Sequence, residues 1–204
     1  MKYYSVYKGR SGSPKIFRTW DECKKEVAGV SGAIYKSFKT EEEAIEFLKV
    51  NSENKSLNDI DLKDEIIVFV DGSFIESKGN YSYGLVVVKD NEVIYKESGV
   101  GDNKEAITHR NVAGEVLGAT KAVIYAEENN IKEITIAFDY QGIESWALGL
   151  WKRNTSLTEN YHQFMKDKMK EIKIRFKKIK GHSGDKYNDL ADELAKEALE
   201  KFIP

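Results

Sequence analysis

Hydrophobic and polar positions in residues 1–50 predict a small domain of alternating strands and helices. Three short runs with strand character cover residues 2–8, 15–18 and 33–38. Two helices are predicted to begin at Thr19 and Thr40, because each threonine precedes a glutamate with the spacing of a helix capping box. The expected order of elements is therefore ββαβα.

A second, longer pattern begins at residue 65 and combines apolar strands with amphipathic helices. Strands are predicted for residues 65–70, 82–88, 92–98, 133–138 and 173–179. Helices are predicted for residues 111–128, 141–150, 157–171 and 185–201. The first of these strands is almost entirely apolar, as in a central strand that is covered on both faces. Strands and helices in this order predict an α/β fold.

Residues 51–64 separate the two patterns and are interpreted as a linker. The stretch 51–65 contains no aromatic residue and holds five acidic residues against two lysines. The expected domains are therefore residues 1–50 and residues 65–204.

Composition limits the expected cellular location and class of the protein but does not indicate its substrate. The net charge of -2 gives no reason, over the whole chain, to expect nucleic-acid binding. The single cysteine, Cys23, excludes an intrachain disulfide, and no apolar stretch has the length of a signal peptide or membrane span. We expect a cytoplasmic, monomeric protein that does not bind membranes.

Four carboxylates occupy positions where an α/β fold would bring them together. Asp71 and Asp139 each follow directly on an apolar strand, in VFVD and IAFD. If those strands are parallel neighbours, both side chains lie at the same sheet edge. Glu115 falls on the apolar stripe of the helix between them, where a charge requires a partner. Asp192 lies at the margin of the buried face of the last helix.

Such a group of acidic residues predicts a site for divalent metal ions. No lysine or arginine is expected beside these carboxylates, so they would repel one another unless cations neutralise them. Oxygen ligands select Mg²⁺ or Mn²⁺. Two such ions could activate a water and stabilise the leaving oxygen in phosphodiester hydrolysis. Taken singly, the aspartates have simpler explanations: Asp71 in a turn, Asp139 ending a strand and Asp192 on an exposed helix face.

Four motifs in the second pattern resemble type 1 ribonuclease H. They are VDGS at 70–73, RNVAGE at 110–115, FDYQG at 138–142 and KGHSGDKYNDLADELA at 180–195. The resemblance implies a mixed five-stranded sheet flanked by helices, and a two-ion Mg²⁺ site formed by Asp71, Glu115, Asp139 and Asp192. It also implies a histidine in a mobile loop before the last aspartate. His182 occupies that position, and we expect it to assist turnover.

The motifs depart from the family pattern at positions that contact the substrate in family members. Arg110, Asn111 and Val112 stand where many members have a threonine and two amide residues, and Tyr140 replaces a frequent serine. These changes affect how the DNA phosphate and the RNA 2′-hydroxyl are held, and Arg110 would supply a charged phosphate donor. The substrate contacts expected in this domain are Ser73, Arg110, Asn111, Gln141, Trp151 and Lys152. Trp146 is predicted to lie in the core.

The first domain resembles the hybrid-binding domain, shared with viroplasmin-like proteins, that precedes some type 1 ribonucleases H. The resemblance lies in KYYSVYKGRSG, RTWDEC and GAIYKSFKTEEEA. It implies that a hybrid is gripped by stacked aromatic residues and lysines, here Trp20, Tyr35 and Lys36, whereas Ser37 replaces a frequent second lysine. Residues 1–50 carry a net charge of +3, which suits such a role. Three other aromatic residues are predicted to build the core: Tyr3, Tyr4 and Phe38.

The resulting interpretation is an endonuclease that cuts the RNA strand of RNA/DNA hybrids and leaves 3′-hydroxyl and 5′-phosphate ends. Three alternatives stay open: a hybrid-binding protein without turnover, a DNA-cutting transposase or integrase of the same fold, and an α/β adaptor with incidental acidic residues. The four carboxylates argue against the first, and the N-terminal domain and His182 argue against the second. The sequence does not distinguish Mg²⁺ from Mn²⁺ or identify the natural hybrid.

Overall fold

The computed structural model of the protein describes residues 2–30, 33–56, 65–181 and 185–203. The chain divides into two units, Met1–Asp61 and Leu62–Pro204, which are described in turn. None of the described helices is both long and apolar enough to cross a membrane.

The first unit is a three-stranded antiparallel sheet with the predicted ββαβα order. Its strands are β1 (Tyr3–Lys8), β2 (Lys15–Phe17) and β3 (Ile34–Phe38), arranged β2-β1-β3, and its helices are α1 (Trp20–Val27) and α2 (Glu41–Ser56). Both helices begin at the predicted capping boxes, where the Thr19 and Thr40 hydroxyls accept backbone N–H groups. Neighbouring residues of β1 face opposite sides: Val6 packs against α1, and Ser5 donates to a backbone carbonyl of α2.

Helix α2 is longer than the sequence pattern predicted. It continues through Ser56, so residues 51–56, which were interpreted as linker, are helical. The segment contains neither glycine nor proline, the two residues that most disfavour a helix interior. The remainder of the predicted linker, residues 57–64, lies outside the described residues.

The second unit is a mixed five-stranded sheet covered by helices, as predicted. The strands are β4 (Ile66–Ile75), β5 (Asn80–Lys89), β6 (Glu92–Val100), β7 (Glu133–Phe138) and β8 (Lys173–Lys178), in the order β6-β5-β4-β7-β8. The helices are α3 (Asn111–Glu128), α4 (Gly142–Ala147), α5 (Ser156–Lys168) and α6 (Lys186–Lys201). Strands β4 to β6 are antiparallel neighbours, whereas β7 is parallel to both β4 and β8.

Strand β4 does not end at Asp71, which corrects the predicted strand end. Pairing with β7 stops at Phe69, but pairing with β5 continues to Ile75, opposite Asn80. Asp71 therefore lies inside a strand at the point where one of its two neighbours stops. The sequence does not show this extension of β4, because the polar residues of VDGS interrupt the apolar run while the backbone hydrogen bonds to β5 continue.

The two faces of the sheet carry separate apolar cores. On one face, buried residues of β4 and β5 such as Val70 and Leu85 pack against the apolar stripe of α3 and against Met165 of α5. On the other face, Phe69 and Val86 pack against Ala191 of α6. The central strands are thus covered on both sides, in agreement with their continuous apolar sequence.

Two glycine contacts set how closely the helices lie on the sheet. A Cβ atom on Gly114 of α3 would lie 2.8 Å from Cα of Gly72 in β4. A Cβ atom on Gly84 of β5 would lie 2.9 Å from the backbone nitrogen of Ala195 in α6. Nonbonded carbon atoms prefer separations of about 3.5 to 4.0 Å, so only glycine permits either approach.

Ser82 of β5 contacts both of these helices. Its carbonyl oxygen lies directly against Gly114 of α3, and its hydroxyl donates to the Ala195 carbonyl of α6 at 2.5 Å. The side chain is fully buried. One strand residue is therefore packed between the helices of opposite faces.

The Gly114 contact generates a stability prediction. Gly114→Ala should destabilise the protein by about 2 kcal/mol, because overpacking costs more than the roughly 1 kcal/mol that alanine gains in a helix. In thermal unfolding this corresponds to a decrease in Tm of about 5 °C.

The matched control lies one turn further along α3. A Cβ atom on Gly118 would come no closer than 3.3 Å to Val70, so Gly118→Ala should change stability by less than about 1 kcal/mol. Equal losses for the two variants would show that close helix packing at Gly114 is not the cause.

Candidate active site

Parallel pairing of β4 and β7 brings Asp71 and Asp139 to the same sheet edge. The last paired residues are Phe69 and Ala137, and each aspartate lies two residues further along the chain. Glu115 joins them from the first turns of α3, which the glycine contact holds close to β4. One carboxylate oxygen from each of these three residues lies within 4.8 Å of the others. The structure thus brings three of the four predicted carboxylates together.

Glu115 is the buried member of this group, with 2% of its surface exposed. Burial, followed by the charges of Asp139 and Asp71, raises its pKa from the usual 4.5 to about 9, although the Tyr140 N–H opposes the shift. Its Oε2 atom has no hydrogen-bond partner among the described residues. A buried, unpartnered carboxylate oxygen beside two further carboxylates has the chemistry of a cation ligand.

Asp192 is the fourth predicted carboxylate and lies in the same cleft, outside the group of three formed by described residues. Its helix α6 is positioned by the contact with Gly84. Asp192 forms an ion pair of 2.5 Å with Lys196, one turn later on the same helix. This hydrogen bond, together with the charges of Asp192 and Asp71, raises the pKa of Lys196.

Lys196 corrects the expectation that no cation accompanies the carboxylates in sequence. Its four-residue spacing from Asp192 is the signal that could have identified it, because residues at this spacing face each other on a helix. The acidic cleft therefore contains a lysine ammonium group that neutralises part of its negative charge.

An open cleft of about 440 Å³ surrounds the carboxylates. The residues that line it are Asp71, Gly72, Ser73, Phe74, Arg110, Asn111, Glu115, Asp139, Asp192 and Lys196. Three predicted substrate contacts, Ser73, Arg110 and Asn111, thus share the cleft with the acidic group. Phe74 is a further lining residue that the sequence did not indicate, because its exposure depends on the extension of β4 beyond Asp71.

The other predicted contacts of this unit lie outside the lining of the cleft, as far as the structure is described. Gln141 donates to Glu144 at 2.7 Å, next to the start of α4. Trp151 is 41% exposed, and its ring packs edge-on against Tyr140 and Trp146. Lys152 is exposed. Trp146 itself is buried in the core, as predicted.

His182 lies outside the described residues. The preceding Gly181 is close to the acidic group, because a Cβ atom there would lie 2.5 Å from Oδ2 of Asp139. Gly181 therefore lies directly against Asp139.

The first unit presents an aromatic surface. Trp20 and Tyr35 are 42% and 45% exposed, and their ring centres are 6.1 Å apart. Tyr4 packs against the core, as predicted, but its ring centre is also 5.8 Å from that of Trp20. Lys36 follows Tyr35 on β3, and its ammonium group lies 5.7 Å from the centre of the Phe38 ring. Trp20, Tyr35 and Tyr4 thus form one patch, to which the sequence assigned only the first two.

Comparisons with known proteins agree with both units. Residues 2–48 match the family model described as the ribonuclease H1 N-terminal domain, and residues 63–200 match the RNase H model. The ribonuclease H1 of Mus musculus is 24% identical over 262 aligned positions, which cover 98% of this chain and 90% of the mouse protein.

Solved structures share the fold of the second unit. The RNase H1 of Halobacterium salinarum superposes with a TM-score of 0.58 at 18% identity, covering 68% of this chain and 99% of its own. LC11-RNase H1 in complex with an RNA/DNA hybrid gives a TM-score of 0.53 at 17% identity, covering 66% and 99%.

The raised pKa of Glu115 generates a pH prediction for the metal-free protein. Below pH 4.5 the side chain is protonated whether the chain is folded or unfolded, so its burial carries no charge penalty. Between pH 4.5 and about 9 the unfolded chain ionises Glu115 while the folded protein resists it, and stability is lost. Glu115→Gln should therefore raise Tm in EDTA at pH 8, by about 5 °C or roughly 2 kcal/mol.

Thermal unfolding from pH 5 to pH 9 measures this effect, and the advantage of Glu115→Gln should increase with pH. Glu128→Gln, at the exposed end of the same helix, is the matched control and should show no comparable trend. An advantage that does not change with pH would contradict the assignment of the penalty to the Glu115 charge.

Proposed function

The chain belongs to the ribonuclease H family, whose model matches residues 63–200, and on this premise we propose that it hydrolyses the RNA strand of RNA/DNA hybrids. The reaction would be an endonucleolytic cleavage that leaves 3′-hydroxyl and 5′-phosphate ends. The observation that carries the proposal is the group of Asp71, Asp139 and Glu115, with the unpartnered buried oxygen of Glu115. The hybrid bound by LC11-RNase H1 supports the choice of substrate.

Two divalent cations, Mg²⁺ or Mn²⁺, are the proposed cofactor. Asp71 and Asp139 would hold them most directly, Glu115 would bind one of them, and Asp192 would complete the outer side of the site. The donor set fits, since carboxylate oxygens are the ligands these cations prefer and the Glu115 oxygen is already removed from water. When bound, the cations would supply activation of the attacking water and stabilisation of the leaving oxygen.

The protein side chains around the carboxylates would orient the nucleic acid. Ser73 and Asn111 line the cleft and offer neutral hydrogen-bond donors to sugar and phosphate oxygens. Lys196 would hold Asp192 in place before the site is filled. His182 would assist turnover, and Gln141, Trp151 and Lys152 are proposed as contacts to the substrate at greater distance from the carboxylates.

The N-terminal domain would hold the hybrid by stacking and charge. The exposed rings of Trp20 and Tyr35 support this role, with Lys36 next to Tyr35 along β3. The N-terminal domain would extend through Ser56, the end of α2, and the catalytic domain would comprise residues 65–204, so the connecting segment would keep a bound hybrid near the catalytic domain. That arrangement would favour several cuts in one encounter.

Cleavage of a labelled RNA/DNA hybrid tests the proposed activity, beside single-stranded RNA, double-stranded RNA and DNA. We expect cleavage of the RNA strand of the hybrid only, with Mg²⁺ and not with EDTA. Asp71→Asn should reduce the rate at least about a thousandfold, or about 4 kcal/mol, because it removes a charged metal ligand. Asp167→Asn, an exposed aspartate at the end of α5, is the control and should leave the rate unchanged.

The other outcomes distinguish the alternatives. Binding of the hybrid without cleavage under either metal would indicate a hybrid-binding protein without turnover. Metal-dependent cleavage of DNA would indicate a DNA-cutting enzyme of the same fold. Failure to bind Mg²⁺ would leave a structural role for the carboxylates.

Trp20→Ala tests the N-terminal grip. The variant should bind the hybrid about tenfold more weakly, because base or sugar stacking contributes about 1 to 3 kcal/mol per contact. Its kcat at saturating hybrid should be unchanged, since the acidic site is in the other domain. The control is Ile45→Ala, another exposed apolar residue, which lies on α2, the helix on the opposite face of the small sheet. Equal weakening by both variants would contradict a stacking role for Trp20.

A further inference from the structure

The segment that contains strand β8 is rich in cations. Residues 170–181 hold six lysine or arginine residues against a single glutamate. The strand lies at the edge of the five-stranded sheet, so one of its sides has no neighbouring strand among the described residues. An exposed strand edge with this charge is a surface that can attract a polyanion.

The cations at the amino end of this segment are already paired. Lys170 lies 2.7 Å from Asp167, and Lys173 lies 3.4 Å from Glu133. Arg175 pairs with Glu133 as well. Because an ion pair has little net charge, this end of the segment attracts a distant anion only weakly.

The cations at the carboxyl end are exposed and form no such pairs. Lys177, Lys178 and Lys180 are exposed, and none of them forms an ion pair with a carboxylate among the described residues. We call these three lysines the basic edge. Burial raises the pKa of Glu144 on α4, and the charge of Lys178 opposes that rise. Lys178 therefore extends on the face of the sheet that α4 covers.

Alternation along β8 places the lysines on both sides of the strand. Phe176 packs against the core on the α4 face, whereas Ile179 packs against the core on the α6 face. Successive side chains of a strand point to opposite faces, so Lys178 lies on the side of Phe176 and Lys177 on the side of Ile179. A polyanion at the end of this strand can therefore be contacted from both sides by long, flexible side chains.

The strand register places the basic edge beside the acidic group. Lys178 lies opposite Phe138, the residue before Asp139, and Gly181 lies directly against Asp139. Strand β7 lies between β8 and β4, so two interstrand spacings, roughly 10 Å, separate β8 from the strand that carries Asp71. The unpaired lysines are thus at the end of β8 that is nearest to the candidate active site.

We propose that the basic edge binds backbone phosphates of the nucleic acid about three nucleotides from the cleaved bond, on one side of the cut. The inference rests on the proposed function, because the distance is counted from a phosphate held at the carboxylates. Neighbouring positions of one strand are about 3.4 Å apart along a duplex axis, so roughly 10 Å corresponds to about three of them.

The basic edge and the acidic group have opposite effects on a polyanion. The carboxylates repel phosphates until cations neutralise them, whereas the lysines attract phosphates whether or not cations are bound. Contacts to phosphates fix the position of a duplex without reading its sequence. The basic edge would therefore hold a duplex beside the site before the cations that are needed for cleavage have bound.

Lysines on an edge strand also have a simpler explanation. They prevent the sheet edges of two molecules from pairing, and this role requires charge anywhere along the strand. In β8 the amino end is neutralised by carboxylates, and only the end beside Asp139 keeps its positive charge. This uneven distribution favours a contact to phosphate, and the two explanations predict different results when the lysines are removed.

Lys177→Gln combined with Lys178→Gln tests the basic edge, with hybrid binding measured in EDTA. The double variant should bind a long hybrid about tenfold more weakly. The slope of log K against log salt should decrease by about 2, one for each lost phosphate contact. In Mg²⁺ its kcat at saturating hybrid should be unchanged, since neither lysine lines the acidic cleft. Lys180 is kept because the adjoining Gly181 lies against Asp139.

The matched control is Lys170→Gln combined with Lys173→Gln, which removes the same charge from the paired end of the segment. It should change hybrid affinity by less than about twofold and leave the salt slope unchanged. Equal losses for the two double variants would show that only the net charge of the protein matters. If the Lys177 and Lys178 double variant self-associates but binds the hybrid normally, the lysines only protect the strand edge.

Trimming the hybrid locates the contact relative to the cut. A duplex whose ribonucleotides are confined to a short central stretch fixes the position of cleavage, and either arm can then be shortened to two base pairs. Shortening one arm should weaken wild-type binding about tenfold but binding by the Lys177 and Lys178 double variant by less than about threefold. Shortening the other arm should affect both proteins equally.

Equal effects of trimming on the two proteins at both ends would overturn the proposal. Wild-type cleavage in Mg²⁺ is measured in parallel on the same long hybrid. If the double variant loses affinity and salt slope as expected but the wild type cuts nothing, the proposed function is rejected and the contact to phosphate is not.

Discussion

The close approach of helix α3 to strand β4 at Gly72 and Gly114 is the contact on which the candidate site depends. Side chains between a helix and a sheet normally keep their backbones well apart, and here both positions lack one. The helix therefore lies low enough for Glu115, the residue after Gly114, to reach the two aspartates of the sheet edge. The parallel pairing of β4 and β7 supplies those aspartates, but the glycines decide whether a third carboxylate joins them.

This packing has an electrostatic cost. Removing Glu115 from water beside Asp71 and Asp139 disfavours its ionised form, as the pKa of about 9 records. The rest of the fold must offset that cost, because a buried carboxylate that is ionised and unpaired is strongly destabilising. Lys196 reduces the repulsion at Asp192. The proposed cations would stabilise the charged form of the site.

The sequence indicated the parts of the site that depend on periodicity and local motifs. Asp71 and Asp139 could be placed because each terminates an apolar run, and Glu115 because it interrupts an apolar helical stripe. Both domains were recognisable because their motifs keep their order, and the mixed sheet followed from that resemblance.

The sequence did not indicate features that depend on pairing between distant segments. The extension of β4 to Ile75 is set by hydrogen bonds to β5, so the exposure of Phe74 beside Arg110 could not be read locally. Lys196 is a helical neighbour of Asp192 in the sequence, but the four-residue spacing does not by itself show that the pair faces the acidic cleft. Tyr4 serves both the core and the Trp20 surface, and a pattern of burial assigns a residue to only one of these.

Ser82 gives the site a common reference point. The helices that carry Glu115 and Asp192 lie on opposite faces of the sheet, yet both contact Ser82. Its carbonyl oxygen lies against α3, and its hydroxyl donates to α6. A shift of β5 at this position would therefore displace Glu115 and Asp192 together, and a substitution of Ser82 would disturb the packing of both helices at once.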